Sequence, residues 1–355
     1  MRDIAAIVDS LGGMAQKQQL VARGARDLDL TGAVKRGDVI RARQGWYTTL
    51  PPNDPRVRAV RVGGRLTGIS AIHAAGGWVL GDHPLHVSVH DNAARLRSVR
   101  NRHVRFDVTA PHGVVLHWDA TDVRERGDAT SVGLMDALHR VVLDEPLETA
   151  VAAIDWALRT GRIEQFDLEL LILGLPADFA GLSHWVDERC DSLPESLTRT
   201  RLVATGHEVR SQVPLTSGER IDLLVDETVG IEVNGKEHHL TTFERDHRKA
   251  AVIVTNGYHG LRATARMVFD DWELVEAMVE AALAMHAPRE NSGVGARGRP
   301  AMPGNARRRR RERRRSPEFP SRDELGHTGT NPDEPGRTGT NRDEPGRTGI
   351  RGGRE

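Results

Sequence analysis

The sequence of 355 residues contains one cysteine, Cys190, which excludes an internal disulfide and any zinc site built from several cysteines. No His/Cys spacing typical of a zinc site is present either. The chain also lacks a run of about 18 apolar residues, the length that a membrane-spanning helix needs. Asp3 and Asp9 interrupt the apolar stretch at the start, which is unlike a secretory signal peptide. These absences predict a soluble cytoplasmic protein with no membrane partner.

Net charge is absent as well, because 50 Lys and Arg residues balance 50 Asp and Glu residues. A neutral chain argues against a nucleic-acid partner, but the segments differ in sign. Residues 1–65 carry 12 bases and 6 acids, residues 66–285 carry 21 and 34, and residues 286–355 carry 17 and 10. The arginine run at 307–315 accounts for the excess in the last segment. Segments of opposite sign suggest different partners for different parts of the chain.

The last 70 residues contain few apolar side chains. Nine apolar residues from His286 onward are too few to offset the entropy of ordering the chain. The ten-residue repeats at 323–352 have no apolar face through which they could stack. We therefore expect residues 285–355 to form a disordered tail rich in Arg, Gly and Pro. The arginine run either adds nonspecific affinity for phosphate or is low complexity without a role.

Three short helical segments precede an alternating stretch at residues 39–50. Each segment stops at a glycine, namely Gly12, Gly24 and Gly37. The alternating stretch turns at Gln44-Gly45, as a β-hairpin does. Three short helices followed by a hairpin is the order of a winged helix, which we predict over residues 1–52.

Basic side chains cluster at the third helix and the hairpin of this segment. They are Lys35, Arg36, Arg41 and Arg43. Phosphate contacts of a winged helix are made from these two elements, so we expect the four residues to bind double-stranded DNA. The alternative is a small helical domain whose basic residues only make it soluble.

Residues 53–175 mix strand-like runs with amphipathic helices and predict an α+β middle domain. The strand-like runs lie at 86–90, 103–108 and 113–118, and the helices lie within 130–173. Five arginines fall within eleven residues of this otherwise acidic region, at positions 95, 97, 100, 102 and 105. They form either a charged loop face or a second nucleic-acid contact.

A capping box at Ser192 and Glu195 predicts a helix that ends near Gly206. After a short strand at 212–214, two β-branched runs flank the loop Asp226-Glu227-Thr228 and predict a hairpin. Pairing around Glu227 places Val225 opposite Val229 and Asp222 opposite Glu232. It also places six apolar side chains on one face, namely Ile221, Leu223, Val225, Val229, Ile231 and Val233.

The predicted register brings the carboxylates of Asp222 and Glu232 directly across from each other. Like charges in that position destabilise a sheet unless something neutralises them. A divalent cation held by both carboxylates, with Mg²⁺ or Mn²⁺ as the natural choice for oxygen ligands, is one explanation. An edge hairpin whose polar face meets water is the other.

The residues that follow the hairpin add polar groups to this candidate site. Lys236 and His238 follow Glu232 within six residues. A capping box at Thr241 and Glu244 then predicts a further helix. The apolar face predicted for this helix consists of Phe243, Ala250, Ala251 and Val254. A further strand at 258–264 returns Arg262 to the sheet. The sequence thus predicts the order helix, three strands, helix, strand over residues 183–284.

That order, with acids on the second and third strands, resembles the PD-(D/E)XK nuclease core. Residues 191–272 are similar to the uncharacterised endonuclease-like domains related to very-short-patch repair (Vsr) endonucleases. The resemblance implies an α/β/α restriction-endonuclease-like core and a magnesium-dependent hydrolase site with Asp222 and Glu232 as metal ligands. Its implied catalytic residues are Glu195, Asp222, Glu232, Lys236 and His238. Two departures are Asn234, where the family has an acid and the superfamily a lysine, and Ala250, where an acid is usual.

The upstream segments GGMAQKQQLVARG, VIRARQGWYTTL and residues 136–163 are similar to AbiEi-family antitoxins of type IV toxin–antitoxin systems. This resemblance implies duplex DNA binding and a cognate toxin as a further partner. The sequence as a whole predicts an α+β multidomain protein that binds DNA and cleaves it as a metal-dependent endonuclease. The alternatives are a noncatalytic antitoxin or transcriptional regulator with a degenerate nuclease fold, and a nuclease that acts on RNA.

Overall fold

The structure, a computed structural model, describes residues 3–120, 123, 126–234 and 243–286, with the backbone alone for residues 243–248. Within these ranges helices alternate with short strands in three separate sheets, so the chain is a mixed α and β protein as predicted. None of the helices described combines the length and apolar character that a bilayer crossing requires. The predicted tail beyond His286 lies outside the described residues.

The first region contains three helices and three strands. They are α1 (Ile4–Asp9), β1 (Met14–Gln16), α2 (Lys17–Ala22), α3 (Asp27–Arg36), β2 (Ile40–Arg43) and β3 (Trp46–Thr48). The antiparallel sheet has the order β1-β3-β2, and the helices cover it through a core that includes Ile4, Val8, Leu20 and Leu30. The predicted hairpin is present. Strand β1 was not predicted, because three residues are too few to show an alternating pattern.

The middle region follows with the largest hydrophobic core. Its elements are α4 (Pro55–Val62), β4 (Arg65–Leu66), α5 (Gly68–Ala74), β5 (Leu85–His90), β6 (Val114–Asp119), α6 (Leu134–Asp144), α7 (Leu147–Arg159) and α8 (Gln165–Leu173). The sheet order is β4-β5-β6, and β5 and β6 run parallel. The predicted strand at 103–108 is wrong, because these residues fold back locally on residues 96–98 and form one isolated bridge, Arg105 to Arg97.

The last region begins after two 3-10 turns at Ala177–Phe179 and Leu182–His184. Its elements are α9 (Leu193–Ala204), β7 (Val209–Pro214), β8 (Arg220–Val225), β9 (Val229–Asn234), α10 (Phe243–Thr255), β10 (His259–Thr264), α11 (Ala265–Asp270) and α12 (Trp272–His286). The sheet order is β10-β9-β8-β7, with β9 and β10 parallel and the other pairs antiparallel. The hairpin register is confirmed by the pairs Val225–Val229 and Leu223–Ile231.

Helices cover both faces of this four-stranded sheet. Leu197 of α9 and Val275 of α12 pack on the face that carries Leu223 and Ile231. Helix α10 covers the opposite face, where Ile253 is buried against the strands. The face predicted for α10 is therefore wrong in part, since Ala251 and Val254 are exposed.

One residue of the predicted strand face also lies on the other side. Ile221 packs with Leu224 and Ile253 instead of with Leu223. The change of face coincides with an interruption of the ladder to β7: the pairs Ser211–Leu223 and Val213–Ile221 flank Gln212, which has a φ of 54° and makes no pair with Asp222. A left-handed residue in a strand interrupts the alternation of side chains between the two faces.

A buried carboxylate joins the middle region to the last one. Asp155 of α7 is fully buried and accepts hydrogen bonds from the Ser196 hydroxyl of α9 (2.6 Å) and from the Asp187 N–H (2.7 Å). Burial raises the pKa of Asp155 to about 7, although these hydrogen bonds favour the charged form. The three groups therefore depend on one another for their polar partners.

We predict that Asp155→Ala lowers the free energy of unfolding by about 2–3 kcal/mol, because it leaves a buried hydroxyl and a buried N–H without an acceptor. Urea denaturation monitored by circular dichroism measures the change. Asp178→Ala, at an exposed position, is the matched control and should shift stability by no more than about 0.5 kcal/mol. Equal effects of the two substitutions would contradict the role assigned to Asp155.

Candidate functional site

Two carboxylates lie together where the ladder between β8 and β9 ends. Asp222 and Glu232 follow directly after the Leu223–Ile231 pair, as the register predicts. The Val233 N–H donates to Asp222 Oδ2 (2.9 Å), and the Asp222 N–H donates to Glu232 Oε1 (3.4 Å). Each acidic side chain thus accepts a hydrogen bond from the backbone of the neighbouring strand, which holds the two carboxylates together.

Lys249 of α10 lies against both carboxylates. Its Nζ is 3.3 Å from Asp222 Oδ1 and makes a direct ion pair with Glu232 Oε2. Burial lowers the pKa of Lys249, but the hydrogen bond to Glu232 and the charges of Asp222 and Glu232 raise it by more. Lys249 therefore stays charged and compensates part of the negative charge of the pair.

Glu195 is the third predicted acid and lies in the first turn of α9, where its N–H donates to the hydroxyl of the N-cap residue Ser192 (3.4 Å). The predicted capping box is only half formed, because the Glu195 carboxylate does not accept from the Ser192 N–H. The Ser192 hydroxyl donates to Glu195 Oε1 (2.8 Å), and the Asp191 N–H donates to Glu195 Oε2 (3.0 Å). The side-chain amide of Gln212 also donates to Oε2 (3.0 Å) and links the helix to β7. Burial raises the pKa of Glu195, and the charge of Asp222 contributes to the rise. Glu195 is 5% exposed.

The environment of Glu232 places its proton equilibrium near neutral pH. Burial raises the pKa of Glu232 to about 7, and the negative charge of Asp222 adds to this effect. The ion pair with Lys249 acts in the opposite direction and is outweighed. A carboxyl group with such a pKa in a polar site is typical of functional positions.

A cleft of about 340 Å³ opens beside the acids. Gln212 and Asp191, which both contact Glu195, form part of its wall. The remainder is lined by Leu158, Glu188 and three arginines, namely Arg159, Arg189 and Arg220, of which Arg159 pairs with Asp191. Guanidinium groups bind two oxygens of a carboxylate or phosphate at once, so Arg189 and Arg220 could contact an anionic ligand in this cleft.

Asp222 and Glu232 lie against each other in the structure, as predicted. Glu195 is close enough to Asp222 for that charge to raise its pKa, but its oxygens contact Asp191, Ser192 and Gln212, and the three carboxylates do not converge within 4.8 Å as the ligands of one ion would. Lys236 and His238 lie outside the described residues. Asn234 ends β9 and pairs with Thr264 of β10.

Lys249 and Gln212 were not predicted as site residues. A signal for Lys249 is present in the sequence, because it precedes the buried Ile253 by four positions and therefore shares its helix face. Gln212 has no such signal, since its contact with Glu195 depends on the left-handed backbone at that position.

The basic residues predicted to bind DNA divide into two pairs. Lys35 and Arg36 are exposed in the last turn of α3, where Arg36 also pairs with Asp38 (2.7 Å). Arg41 and Arg43 lie on β2 and are half-buried.

The guanidinium of Arg43 is held by backbone carbonyl oxygens. It donates to Val62 O (2.6 Å) at the end of α4 and to Arg95 O (3.2 Å). Burial lowers the pKa of Arg43, and the nearby charge of Arg97 lowers it further. Arg43 therefore fixes the hairpin against the middle region, which leaves Lys35 and Arg36 as the accessible pair.

One further group has the composition of a metal site. His86, His117 and Asp144 present ligand atoms within 4.8 Å of one another and could hold a metal ion. It is the one such group of three within the part of the chain that the structure describes. Compared with known proteins, the chain matches no family model and no curated sequence.

We predict that the pKa of Glu232 makes stability depend on pH. A carboxyl with a pKa of about 7 when folded and 4.5 when unfolded binds more protons in the folded state between these values. The free energy of unfolding should therefore fall as pH rises from about 4.5 to 7, by about 3 kcal/mol from this group. Glu232→Gln should remove that part of the fall, as urea titrations across this range would measure.

Glu227→Gln is the matched control, because Glu227 is exposed on the hairpin turn and pairs only with the exposed Arg210. The free energy of unfolding of Glu227→Gln should depend on pH in the same way as that of the parent. Parallel profiles for Glu232→Gln and the parent would show that the pKa of Glu232 is not raised.

Proposed function

We propose that the protein binds duplex DNA and hydrolyses its phosphodiester bonds with a divalent cation held by Asp222 and Glu232. The observation that carries the proposal is the pair of carboxylates on adjacent strands, Asp222 and Glu232, with Lys249 beside them. The order helix, three antiparallel strands, helix and parallel strand is the one expected of a PD-(D/E)XK nuclease core. Residue types and topology thus support the same reaction.

The donor atoms fit Mg²⁺ or Mn²⁺. Asp222 and Glu232 offer carboxylate oxygens, the ligands that hard cations prefer, and they leave several positions for water and phosphate oxygens. When bound, the ion polarises the phosphate and lowers the pKa of coordinated water. Glu195 belongs to the supporting structure, since its oxygens accept hydrogen bonds from Ser192, Asp191 and Gln212.

Lys249 supplies the positive charge that the third strand lacks. The nuclease superfamily carries a lysine at the position of Asn234, whereas this chain brings an ammonium group to the same carboxylates from α10. A fixed cation beside the scissile phosphate stabilises the charge that develops during hydrolysis. The arginines of the adjoining cleft would orient the phosphate backbone.

The first region supports duplex binding as a winged helix. Helix α3 and the hairpin β2–β3 follow one another as in that motif, and Lys35 and Arg36 are exposed at the end of α3. The arginine-rich loop at 95–105 adjoins the hairpin, because Arg102 donates to the Arg41 carbonyl. Burial lowers the pKa of Arg61, and the charges of Arg58 and Arg102 lower it further. A bound polyanion would reduce the repulsion between these clustered positive charges.

The ion pairs of Lys249 also favour a second candidate, a noncatalytic DNA-binding antitoxin or transcriptional regulator. Because the ammonium compensates part of the charge of Asp222 and Glu232, the pair has a cation of the protein itself beside it in place of a divalent ion. In that case the nuclease-like region would serve as a binding module for DNA or for a cognate toxin.

We predict that the parent protein nicks plasmid DNA in Mg²⁺ or Mn²⁺, and that Asp222→Asn and Glu232→Gln each reduce the rate by about 100-fold or more. Gel electrophoresis of plasmid and labelled duplex oligonucleotides measures the reaction. Glu227→Gln, the same substitution at an exposed position, should retain the parental rate.

Cleavage by Asp222→Asn at the parental rate would overturn the assignment of the site. A parent protein that binds duplex DNA but does not cut it in either metal would favour the noncatalytic regulator. Cleavage of RNA oligonucleotides alone would move the substrate from DNA to RNA.

We also predict that duplex affinity falls as salt rises, because binding releases counterions from the phosphates. Lys35→Gln and Arg36→Gln should each reduce the slope of log affinity against log salt by about 1. Fluorescence anisotropy with a labelled duplex measures this slope. Arg266→Gln is the control, since Arg266 is 90% exposed but lies on α11, away from the first region. An affinity that is independent of salt would contradict phosphate binding.

A further inference from the structure

A second polar cluster lies in the middle region, outside the carboxylate site. His86 is on β5, and His117 is on the neighbouring strand β6. His117 pairs with Ser88, which is two residues after His86 on β5. Since strand side chains alternate, this register puts both imidazoles on the same face of the sheet. Asp144 ends α6 on that face and adds a carboxylate. The segments that meet here are far apart in the sequence.

The three donor atoms form a nearly equilateral triangle. His117 Nε2 is 3.2 Å from His86 Nδ1, Asp144 Oδ2 is 3.8 Å from His86 Nδ1, and Asp144 Oδ2 is 3.6 Å from His117 Nε2. With metal–ligand bonds of about 2.0–2.1 Å, ligand atoms of a tetrahedral zinc site lie about 3.3–3.4 Å apart. Octahedral Mg²⁺ with bonds of similar length would need neighbours about 3.0 Å apart. The spacing therefore fits tetrahedral coordination better.

The surroundings favour a cation held by imidazole. His86 and His117 are 4% and 8% exposed, so the ring nitrogens are largely shielded from water. The other ring nitrogen of His86, Nε2, lies 3.7 Å from Glu145 Oε1, where a carboxylate can orient a metal-binding imidazole. Asp144 is also the last residue of α6, whose carboxyl end carries partial negative charge and has no basic residue in its last turn.

We propose that His86, His117 and Asp144 form a binding site for a divalent transition metal ion of the zinc type. Imidazole nitrogens select such ions over Mg²⁺ and Ca²⁺, which prefer oxygen ligands. Three protein ligands leave the fourth position of a tetrahedron to water or another group. The site is separate in composition and position from the carboxylates of Asp222 and Glu232, and its occupancy does not depend on nuclease activity.

The test begins with the full chain, stripped of metal with a chelator, loaded with Zn²⁺ and desalted. Mass spectrometry of the bound metal should find about one zinc per chain, and added Zn²⁺ should raise the melting temperature. His117→Asn and Asp144→Asn should each weaken zinc binding by about 100-fold or more and remove the thermal shift. Co²⁺ in the parent protein should give the intense visible bands of tetrahedral coordination.

Two controls separate this site from others in the chain. His73→Asn alters a different histidine pair, in which His73 Nδ1 lies 3.0 Å from His83 Nε2, and should keep the zinc. Asp222→Asn should keep it as well. The proposal is overturned if the parent binds no zinc, if His117→Asn and Asp144→Asn retain it at parental affinity, or if Co²⁺ shows only weak octahedral bands. If His117→Asn fails to fold, Asp144→Asn, which nearly preserves the shape of the side chain, still locates the ion, and the Co²⁺ spectrum of the parent independently tests its geometry.

Discussion

Asp222 and Glu232 bring two like charges into the interior on adjacent strands, and the contacts around them reduce the electrostatic penalty. An uncompensated carboxylate at such a depth costs several kcal/mol. Here the backbone N–H groups of Val233 and Asp222 donate to the pair, and Lys249 adds a positive charge from the helix above. Burial and the charge of Asp222 nevertheless raise the pKa of Glu232 to about 7, so a proton on Glu232 also removes part of the negative charge near neutral pH.

The position of the pair could be predicted from the sequence because it depends on local rules. Alternation of apolar residues fixes which side chains share a face, and the residues between the two runs fix the turn. The turn forms with positive φ at Asp226 and Glu227, and the pairs Val225–Val229 and Leu223–Ile231 follow from it. The N-cap of α9 at Ser192 is equally local and was predicted for the same reason, although Glu195 accepts from the Asp191 N–H and not from the Ser192 N–H as a full capping box requires.

What the sequence did not predict depends on contacts between distant segments. Ile221 changes face where the ladder to the neighbouring strand is interrupted at Gln212, whose left-handed backbone no local pattern requires. The buried face of α10 follows Ile253, because the sheet it covers accepts that residue and leaves Val254 in solvent. His86, His117 and Asp144 have no characteristic spacing, and only the parallel pairing of β5 with β6 brings the imidazoles together.

Under the proposed function, the charge balance at the carboxylate site couples the binding of the cation to the binding of nucleic acid. Asp222 and Glu232 carry two negative charges when ionised, and Lys249 carries one positive charge, so the group is short of one positive charge. A divalent cation would reverse the sign and leave one positive charge in excess, which a single phosphate group neutralises. Each ligand therefore improves the electrostatic environment for the other, and such coupling is reciprocal by thermodynamic linkage. Under the proposed function, the cation and the nucleic acid would therefore bind cooperatively, and either one alone would bind weakly at a site that Lys249 already occupies in part.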